Sequence, residues 1–316
     1  MRICLMIEGQ EDVTWEQWLA LAGACEEHGL EGLFRSDHYL SVMGRRDRGS
    51  LDAWATLAGL AARTSRIHLG TMVSPATFRH PSVLAKMVVT VDHISGGRVE
   101  LGLGAGWHQE EHTAYGFDLP VGAERMGRLA EQLEIVNREW SEGTFDFDGR
   151  YFQLRGLDAL PKPVQRPRPN LILGGSAGPV ASKLAARWAD EYNTTSAAPE
   201  DVRERRQRLS EACEAVGRDP STLTFSVMTA CIVGRDHNEV LERVGRVLDR
   251  TGQGGSAEAM VADPPRRWIL GTVDQVVERL EAYQEAGLDR IMLQHLAHDD
   301  LDMVALIGDA LVPRLA

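Results

Sequence analysis

The stretch PSVLAKMVVTVDHISGGRVELGLGAGWH, residues 81–108, decides the fold because it contains one complete helix-and-strand unit. Proline suits the first position of a helix, and the apolar residues after Pro81 recur at helical spacing. Gly96-Gly97 then turns the chain into a short apolar strand with a glycine-rich end. The helix is predicted to bury one side, made of Val83, Leu84, Met87, Val88, Val91 and Ile94.

Outward from this unit, short apolar runs alternate with amphipathic segments along the whole chain. The predicted strands lie at residues 2–7, 31–35, 66–72, 98–103, 170–174, 189–193, 223–232 and 288–294. Strands that alternate with helices in this way predict an α/β protein with a (β/α)8 TIM-barrel fold. The rhythm breaks at 118–168 and 252–270, which we interpret as insertions at the C-terminal mouth of a single domain spanning 1–316.

The charge balance restricts the class of partner. The chain has 34 basic and 46 acidic residues, which gives a formal net charge of −12. No basic stripe offsets this charge, so the sequence argues against broad nucleic-acid binding. A local basic pocket can still occur in an acidic protein, so a small molecule is the expected partner.

The cysteines and the apolar runs indicate where the protein works. Cys4, Cys25, Cys213 and Cys231 contain no C-x-x-C pair, a pattern that fits neither a disulfide framework nor a zinc knuckle. No targeting signal is expected, because the apolar run at 3–7 is short and acidic residues follow it at once. No apolar run is long enough to span a bilayer. We therefore expect a cytoplasmic protein without a membrane partner.

Four unusual clusters fall at predicted strand ends, which is where TIM barrels carry their active sites. They are Asp37-His38, Thr71-Met72-Val73-Ser74-Pro75, Gly102-Leu103-Gly104-Ala105-Gly106 and the run from Gly174 to Pro179. An acid beside an imidazole can hold a polar ring edge and shuttle a proton, although a capped loop with a surface histidine is the plainer alternative.

Each glycine-rich cluster predicts a close approach of the backbone to a ligand. The run at 102–106 lacks the spacing of a dinucleotide fingerprint, because Trp107 stands where the next glycine would fall. A backbone that passes close under a flat ligand is the better interpretation. Ser176 and the helix expected to begin at Pro179 would offer a hydroxyl and free N–H groups to a phosphate, although an ordinary tight turn is the alternative.

His108, Glu111 and His112 match the inverted zinc-peptidase pattern H-x-x-E-H. On a helix, the two histidines would share one face and could bind zinc. The pattern is short, however, and no third ligand stands out downstream. We therefore expect no metal, and His108 is predicted to line a cofactor pocket instead.

Several segments together resemble a known family. They are FRSDHY at 34–39, LGTMVSPATFRHP at 69–81, GGRVELGLGAGW at 96–107, LPKP at 160–163 and GGS at 174–176. The chain resembles the bacterial luciferase-like superfamily, and most closely its actinobacterial branch of deazaflavin (coenzyme F420) oxidoreductases. The resemblance spans nearly the whole chain.

The resemblance implies a TIM barrel that holds a cofactor at its C-terminal mouth. His38 is then the catalytic residue that moves a proton, Asp37 hydrogen-bonds the ring, and a non-proline cis peptide joins Met72 to Val73 behind it. Ser176 belongs to the segment that holds the phosphate. The full set implied for the cofactor is Asp37, Thr71, Met72, Val73, Gly104, Ala105, Gly106, Trp107, His108, Gly174, Gly175 and Ser176.

The sequence also departs from the sugar-phosphate dehydrogenases of that family. They carry a tryptophan a few residues after the histidine and a glutamate soon after the glycine-rich strand, where this chain has Tyr39–Gly44 and His108-Gln109. We therefore expect hydride transfer between F420 and an uncharged, partly apolar substrate, and the alternative is an FMN-dependent monooxygenase. The F420 tail carries extra carboxylates, for which the basic candidates are Lys162, Arg166, Arg168 and Lys183.

Two further expectations concern the class of protein and its assembly. A catalytically idle flavin-binding protein is the second class considered, and the imidazole of His38 favours an enzyme over it. Members of the family often dimerise, so a homodimer is expected.

Overall fold

The computed structural model describes residues 1–141 and 143–315. Its strands are β1 (Arg2–Ile7), β2 (Gly32–Arg35), β3 (His68–Thr71), β4 (Ser74–Pro75), β5 (Val99–Gly104), β6 (Phe145–Asp148), β7 (Gln153–Leu157), β8 (Asn170–Gly174), β9 (Glu191–Thr195), β10 (Thr224–Gly234), β11 (Ile269–Thr272) and β12 (Arg290–Gln294). Its α-helices are α1 (Trp15–Glu27), α2 (Ala53–Ala61), α3 (Pro81–Ser95), α4 (Gln109–Tyr115), α5 (Gly122–Trp140), α6 (Pro179–Trp188), α7 (Pro199–Glu214), α8 (His237–Thr251), α9 (Ala257–Ala262), α10 (Val273–Glu285), α11 (Leu301–Leu306) and α12 (Val312–Leu315). A 3-10 turn lies at Pro220–Thr222 and a π-helical turn at Ile307–Leu311.

Eight parallel strands close into a barrel. Their order is β1-β2-β3-β5-β8-β9-β10-β12, and β12 pairs again with β1. At the seam, Met6 of β1 lies opposite both Phe34 of β2 and Gln294 of β12. The first strand therefore pairs with both the second strand and the last strand, which closes the barrel. The predicted (β/α)8 barrel is confirmed.

Local signals in the sequence position the helices. Thr14 and Gln17 form a capping box at the start of α1, and Pro81 is the first residue of α3, as predicted. Two residues of α3 contradict the predicted buried side, since Val83 is 53% exposed and Ile94 is 43% exposed. A helix on the outside of a barrel buries one stripe, here centred on Leu84 and Val88, and both residues lie outside it.

The two segments predicted to be insertions contain helices and strands. Residues 118–168 include α5 and the antiparallel hairpin of β6 and β7. Residues 252–270 include α9, and β11, which begins there, pairs with the last residues of β10; neither element was predicted. No helix among the described residues is both long and apolar enough to cross a membrane.

The barrel interior is filled below the mouth. Arg290 is fully buried and pairs with Glu100 at 2.8 Å and with Glu191 at 3.0 Å. The apolar residues of the interior are Cys4, Met6, Phe34, Met72, Ile172, Met228 and Met292. Because these side chains fill the interior, the part of the barrel that the structure describes leaves room for a ligand at its C-terminal mouth.

Candidate active site

A cavity of about 420 Å³ opens at the mouth, a volume in the usual range for small-molecule sites. Its wall is mostly apolar or glycine, and its side chains come from several strand ends. The lining residues are Glu8, Ser36, His38, Val42, Met72, Val73, Pro75, Gly104, Ala105, Gly106, Trp107, Gly174, Gly175, Asn193, Thr195 and Met228. The structure thus brings His38 together with most of the residues expected to hold a cofactor.

His38 forms a hydrogen-bonded pair with Glu111. The His38 Nδ1 atom lies 2.8 Å from Glu111 Oε2, and the Glu111 side chain is fully buried. The other Glu111 oxygen accepts the backbone N–H groups of Tyr39 and Leu40, the latter at 3.1 Å. These three contacts hold the carboxylate in one orientation, and the carboxylate in turn holds the imidazole.

The pair also sets the protonation chemistry of the imidazole. An ionised carboxylate only accepts hydrogen bonds, so His38 carries its proton on Nδ1, and Nε2 is the atom free to exchange a proton. Burial lowers the pKa of His38, but the hydrogen bond and charge of Glu111, followed by the charges of Glu8 and Asp37, raise it above its usual value overall. Burial has the opposite effect on an acid and raises the pKa of Glu111. The hydrogen bond and charge of His38 outweigh this effect, so the pKa of Glu111 is lowered overall.

Sequence reasoning missed this partnership because it placed Glu111 in the zinc pattern. The pattern is not assembled: His112 Nδ1 lies 2.7 Å from the carbonyl oxygen of His108, and Nε2 lies 2.7 Å from the Thr77 hydroxyl. Both nitrogens of His112 are therefore occupied, and the ring does not converge with His108. On this geometry His112 does not form a zinc site with His108 and Glu111, as the zinc-peptidase alternative requires.

Donor atoms of His38, His108 and Glu111 do lie within 4.8 Å of one another, a spacing that could hold a metal ion. The 2.8 Å separation of His38 and Glu111 is a hydrogen bond, which fits proton transfer better than ligation. His108 lies beneath Trp107, with ring centroids 5.0 Å apart, and it is not among the lining residues. The prediction that His108 lines the cavity is therefore corrected.

The Asp37 carboxylate faces away from the cavity. It forms a two-point pair with Arg79, at 2.6 and 3.1 Å, and accepts the Ser74 hydroxyl at 2.5 Å. Because these donors occupy it, the expected hydrogen bond from Asp37 to a ring is not supported. Thr71 also lies outside the lining, because it is buried and donates to the Gly102 carbonyl at 2.8 Å.

Three of the glycines make room for Val73. The peptide bond between Met72 and Val73 is cis, as the resemblance implied. A Cβ atom at Gly102, Gly104 or Gly174 would lie 2.9, 2.7 or 3.0 Å from a methyl group of Val73. The glycine-rich run at 102–106 was expected to lie directly under a flat ligand. At Gly102 and Gly104 it lies instead against Val73, whose side chain lines the cavity.

The loop between β8 and α6 presents free backbone donors. The Gly175 N–H donates to the Asn193 carbonyl at 3.0 Å, and the Ala177 N–H donates to the Tyr192 hydroxyl at 2.8 Å. Within the described chain, the N–H groups of Ser176 and Gly178 have no hydrogen-bond partner. Ser176 itself is exposed beyond the cavity lining, where an anion at the N-terminus of α6 would meet it.

A second cleft begins where the first ends. Ala105 lines both, and the cleft continues along α5 to Val180 near the start of α6. Its basic residue is Arg125, which has no ion-pair partner in the described part of the chain. Sequence reasoning missed Arg125, because it assigned the start of α5 to a predicted insertion and could not predict which residues α5 would place beside the cavity.

The basic residues favoured from the sequence have other contacts. Arg168 pairs with Asp190 at 2.5 Å before the start of β9, which is the opposite end of the barrel. Lys162 contacts Asp158, and Arg166 donates to the Pro163 carbonyl. Lys183 is exposed on α6. Arg125 therefore replaces these four residues as the basic side chain that lines the cleft continuing from the cavity.

Comparison with known proteins agrees with this geometry. Residues 3–290 match the family model of luciferase-like monooxygenases. An F420-dependent glucose-6-phosphate dehydrogenase of Microbacterium testaceum (strain StLB037) is 30% identical over 92% of this chain and 90% of its own. The monooxygenase RslO1 from Streptomyces bottropensis superposes with a TM-score of 0.84 at 25% identity, covering 100% of both chains.

A third relative supports the fold. An F420-dependent secondary alcohol dehydrogenase, solved with an F420–acetone adduct, superposes with a TM-score of 0.82 at 21% identity, covering 100% of this chain and 99% of its own. The family model covers most of the sequence. The chain therefore belongs to the luciferase-like monooxygenase family.

Proposed function

We propose that this member of the family is an oxidoreductase that moves a hydride between coenzyme F420 and a small organic alcohol or carbonyl compound. The observation that carries the proposal is the His38–Glu111 pair at the edge of a cavity bounded by Val73 and the β8–α6 loop. The sequence relatives are F420-dependent dehydrogenases, which supports the choice of cofactor. The proton-transfer pair favours an enzyme over an idle flavin-binding protein.

The residues present fit a flat ring with a phosphate-bearing tail. Met72 and Val73 would support one face of the ring, and the segment Ala105–Trp107 would flank it. The free N–H groups of Ser176 and Gly178 would hold the phosphate. The bound deazaflavin supplies hydride chemistry, whereas a reduced FMN in the same place could also activate oxygen.

The chain itself supplies the proton transfer. Oxidation of an alcohol releases a proton from its hydroxyl, and reduction of a carbonyl requires one at the same oxygen. His38 Nε2 is the atom placed to accept or donate this proton, because Glu111 occupies Nδ1. Glu111 is a positioning residue that fixes the tautomer and raises the pKa of the imidazole.

We expect the purified protein to bind F420 at least tenfold more tightly than FMN. The F420 tail carries carboxylates beyond the phosphate, and Arg125 lies in the cleft that continues from the cavity. Arg125→Gln should weaken the binding of F420 by roughly tenfold and leave that of FMN unchanged, so the two affinities should become more similar. Fluorescence titration with both cofactors measures this. Equal or tighter binding of FMN would favour the monooxygenase alternative, which the likeness to RslO1 supports.

The β8–α6 loop gives a test of the phosphate assignment. A Cβ atom at Gly175 would lie 2.8 Å from the Tyr192 hydroxyl, so Gly175→Ala must displace the partner of the Ala177 N–H. We expect roughly tenfold weaker binding of both F420 and FMN, because both carry a phosphate. Gly23→Ala in α1 is the matched control, since nothing lies within 4 Å of its new Cβ. Unchanged affinities in the Gly175 variant would refute the assignment.

The cavity favours substrates without a phosphate. The lining contains the titratable side chains Glu8 and His38 and, among the described residues, no lysine or arginine. An anionic substrate would therefore lack a counter-charge there. Sugar-phosphate oxidation, the activity named for the sequence relatives, is disfavoured for this chain, and an uncharged or partly apolar compound is preferred.

Two features of the protein's setting complete the proposal. The four cysteines are buried and free, which supports a reducing compartment such as the cytosol. The expected homodimer stays a prediction, to be checked by the mass of the protein in solution. A small molecule is the expected partner, and the net charge of −12 disfavours nucleic acid.

A further inference from the structure

Glu8 places a carboxylate in the cavity wall. It follows β1 directly, its residue is 9% exposed, and it lines the same cavity as His38. One oxygen accepts the side-chain amide of Gln294 at 2.5 Å, and the other accepts that of Gln10 at 2.8 Å. A carboxylate oxygen can accept two hydrogen bonds, so each oxygen keeps capacity for a ligand.

The surroundings of Glu8 differ from those of the neighbouring buried acids. Glu11 pairs with Arg48, Asp37 pairs with Arg79, and Glu111 pairs with His38. Within the described ranges, Glu8 has no basic side chain within ion-pair distance.

Burying a carboxylate without an opposite charge is unfavourable. Two amide donors orient the group but do not neutralise it. A positively charged ligand in the cavity would supply the missing counter-charge for the Glu8 carboxylate.

We propose that Glu8 binds a protonated amine of the substrate, which makes the substrate an amino alcohol or amino carbonyl compound. The inference rests on the proposed function for the reacting carbon, but the amine subsite itself requires only the geometry around Glu8. The apolar side chains of Val42 and Met228, which the cofactor ring does not need, would hold the hydrocarbon part. A charge-assisted hydrogen bond in a partly dehydrated site is stronger than a neutral one, so an amine is favoured over a hydroxyl at this position.

Three probes of similar shape test the charge preference directly. They are cyclohexylmethylamine, cyclohexylmethanol and cyclohexanecarboxylate, which are cationic, neutral and anionic at pH 7. Isothermal titration of the protein, with and without saturating F420, measures their affinities. We expect the amine to bind about 10- to 100-fold more tightly than the alcohol, and the carboxylate to bind most weakly.

Charge-neutral variants locate the effect. Glu8→Gln keeps the shape of the side chain and should reduce the amine-to-alcohol ratio to within about threefold of one. Glu110→Gln is the matched control, because it removes one negative charge from an exposed position that does not line the cavity. It should keep the ratio of the unmodified protein. Thermal unfolding of both variants checks that they fold. If Glu8→Gln does not fold, the amine-to-alcohol affinity ratio of the unmodified protein tests the proposal.

Several outcomes would overturn the proposal. An amine that binds no more tightly than the alcohol would do so, as would a preference that survives in Glu8→Gln. If Glu8→Gln weakens F420 instead of the amine, Glu8 belongs to the cofactor wall. Failure of the proposed function is distinguishable: F420 would not bind, whereas the amine preference measured without F420 would persist.

Discussion

Replacing His38 with alanine is expected to lower turnover by about 10²- to 10⁴-fold while F420 affinity changes by only a few-fold. General acid–base help is typically worth that factor. The ring lies at the cavity edge with its side chain 12% exposed, and Glu111 leaves Nε2 as the atom that can face a reacting oxygen. Its removal therefore eliminates proton transfer and leaves the floor at Met72 and Val73 unchanged.

The measurement separates chemistry from binding. Single-turnover absorbance of F420 at saturating substrate reports the chemical step, and fluorescence titration reports cofactor affinity. Added imidazole should restore part of the turnover of His38→Ala, because the small base can occupy the vacated volume. Loss of cofactor affinity with unchanged turnover at saturation would show that His38 only packs against the ring.

Most of the fold could be predicted from the sequence because barrels are built from local signals. Alternating apolar runs fix the strands, and caps such as Thr14 with Gln17 fix the helix starts. What could not be predicted is the structure of the segments where the alternating pattern breaks. Residues 252–270 offered no periodic pattern, yet they contain α9 and the first part of β11, which pairs with the end of β10.

The candidate site shows a similar division. Strand ends predicted where the cavity would lie, since parallel strands in a barrel share one mouth. They did not predict which partner each side chain takes. His38 and Glu111 are separated by 73 positions in the sequence. The zinc hypothesis considered only residues three and four positions apart on one helix, so it could not identify His38 as the partner of Glu111. Likewise Asp37 was expected to face the ligand, and Arg79 from beyond β4 holds it instead.

The two carboxylates beside the cavity have different tasks because their partners differ. Glu111 is fully buried and bound to the His38 imidazole and two backbone N–H groups. It therefore controls the protonation of His38 and does not contact a ligand. Glu8 is bound by two amides and lines the cavity, so its remaining capacity faces a ligand. Changes at Glu8 should therefore alter which substrate binds, and changes at Glu111 should alter how fast a bound substrate reacts.

Replacing Glu111 with glutamine is expected to lower turnover by roughly 10²- to 10³-fold without loss of cofactor binding. The amide oxygen of the new side chain can still accept the Tyr39 and Leu40 N–H groups. Its NH₂ group would then face His38 Nδ1 and donate to it, which forces the proton of the neutral ring onto Nε2. An imidazole in that tautomer cannot accept a proton from the substrate.

The pH dependence of the Glu111→Gln variant distinguishes positioning from packing. Oxidation of the substrate requires neutral His38, so the rate rises as pH increases through the pKa of that ring. Glu111 raises this pKa through its hydrogen bond and charge, so the substitution should move the acid limb of the kcat/KM profile to lower pH. Glu110→Gln, which neutralises an exposed neighbour, should leave the limb in place. An unmoved limb in Glu111→Gln would mean that the buried carboxylate stabilises the loop at Tyr39 and Leu40 but does not control the imidazole.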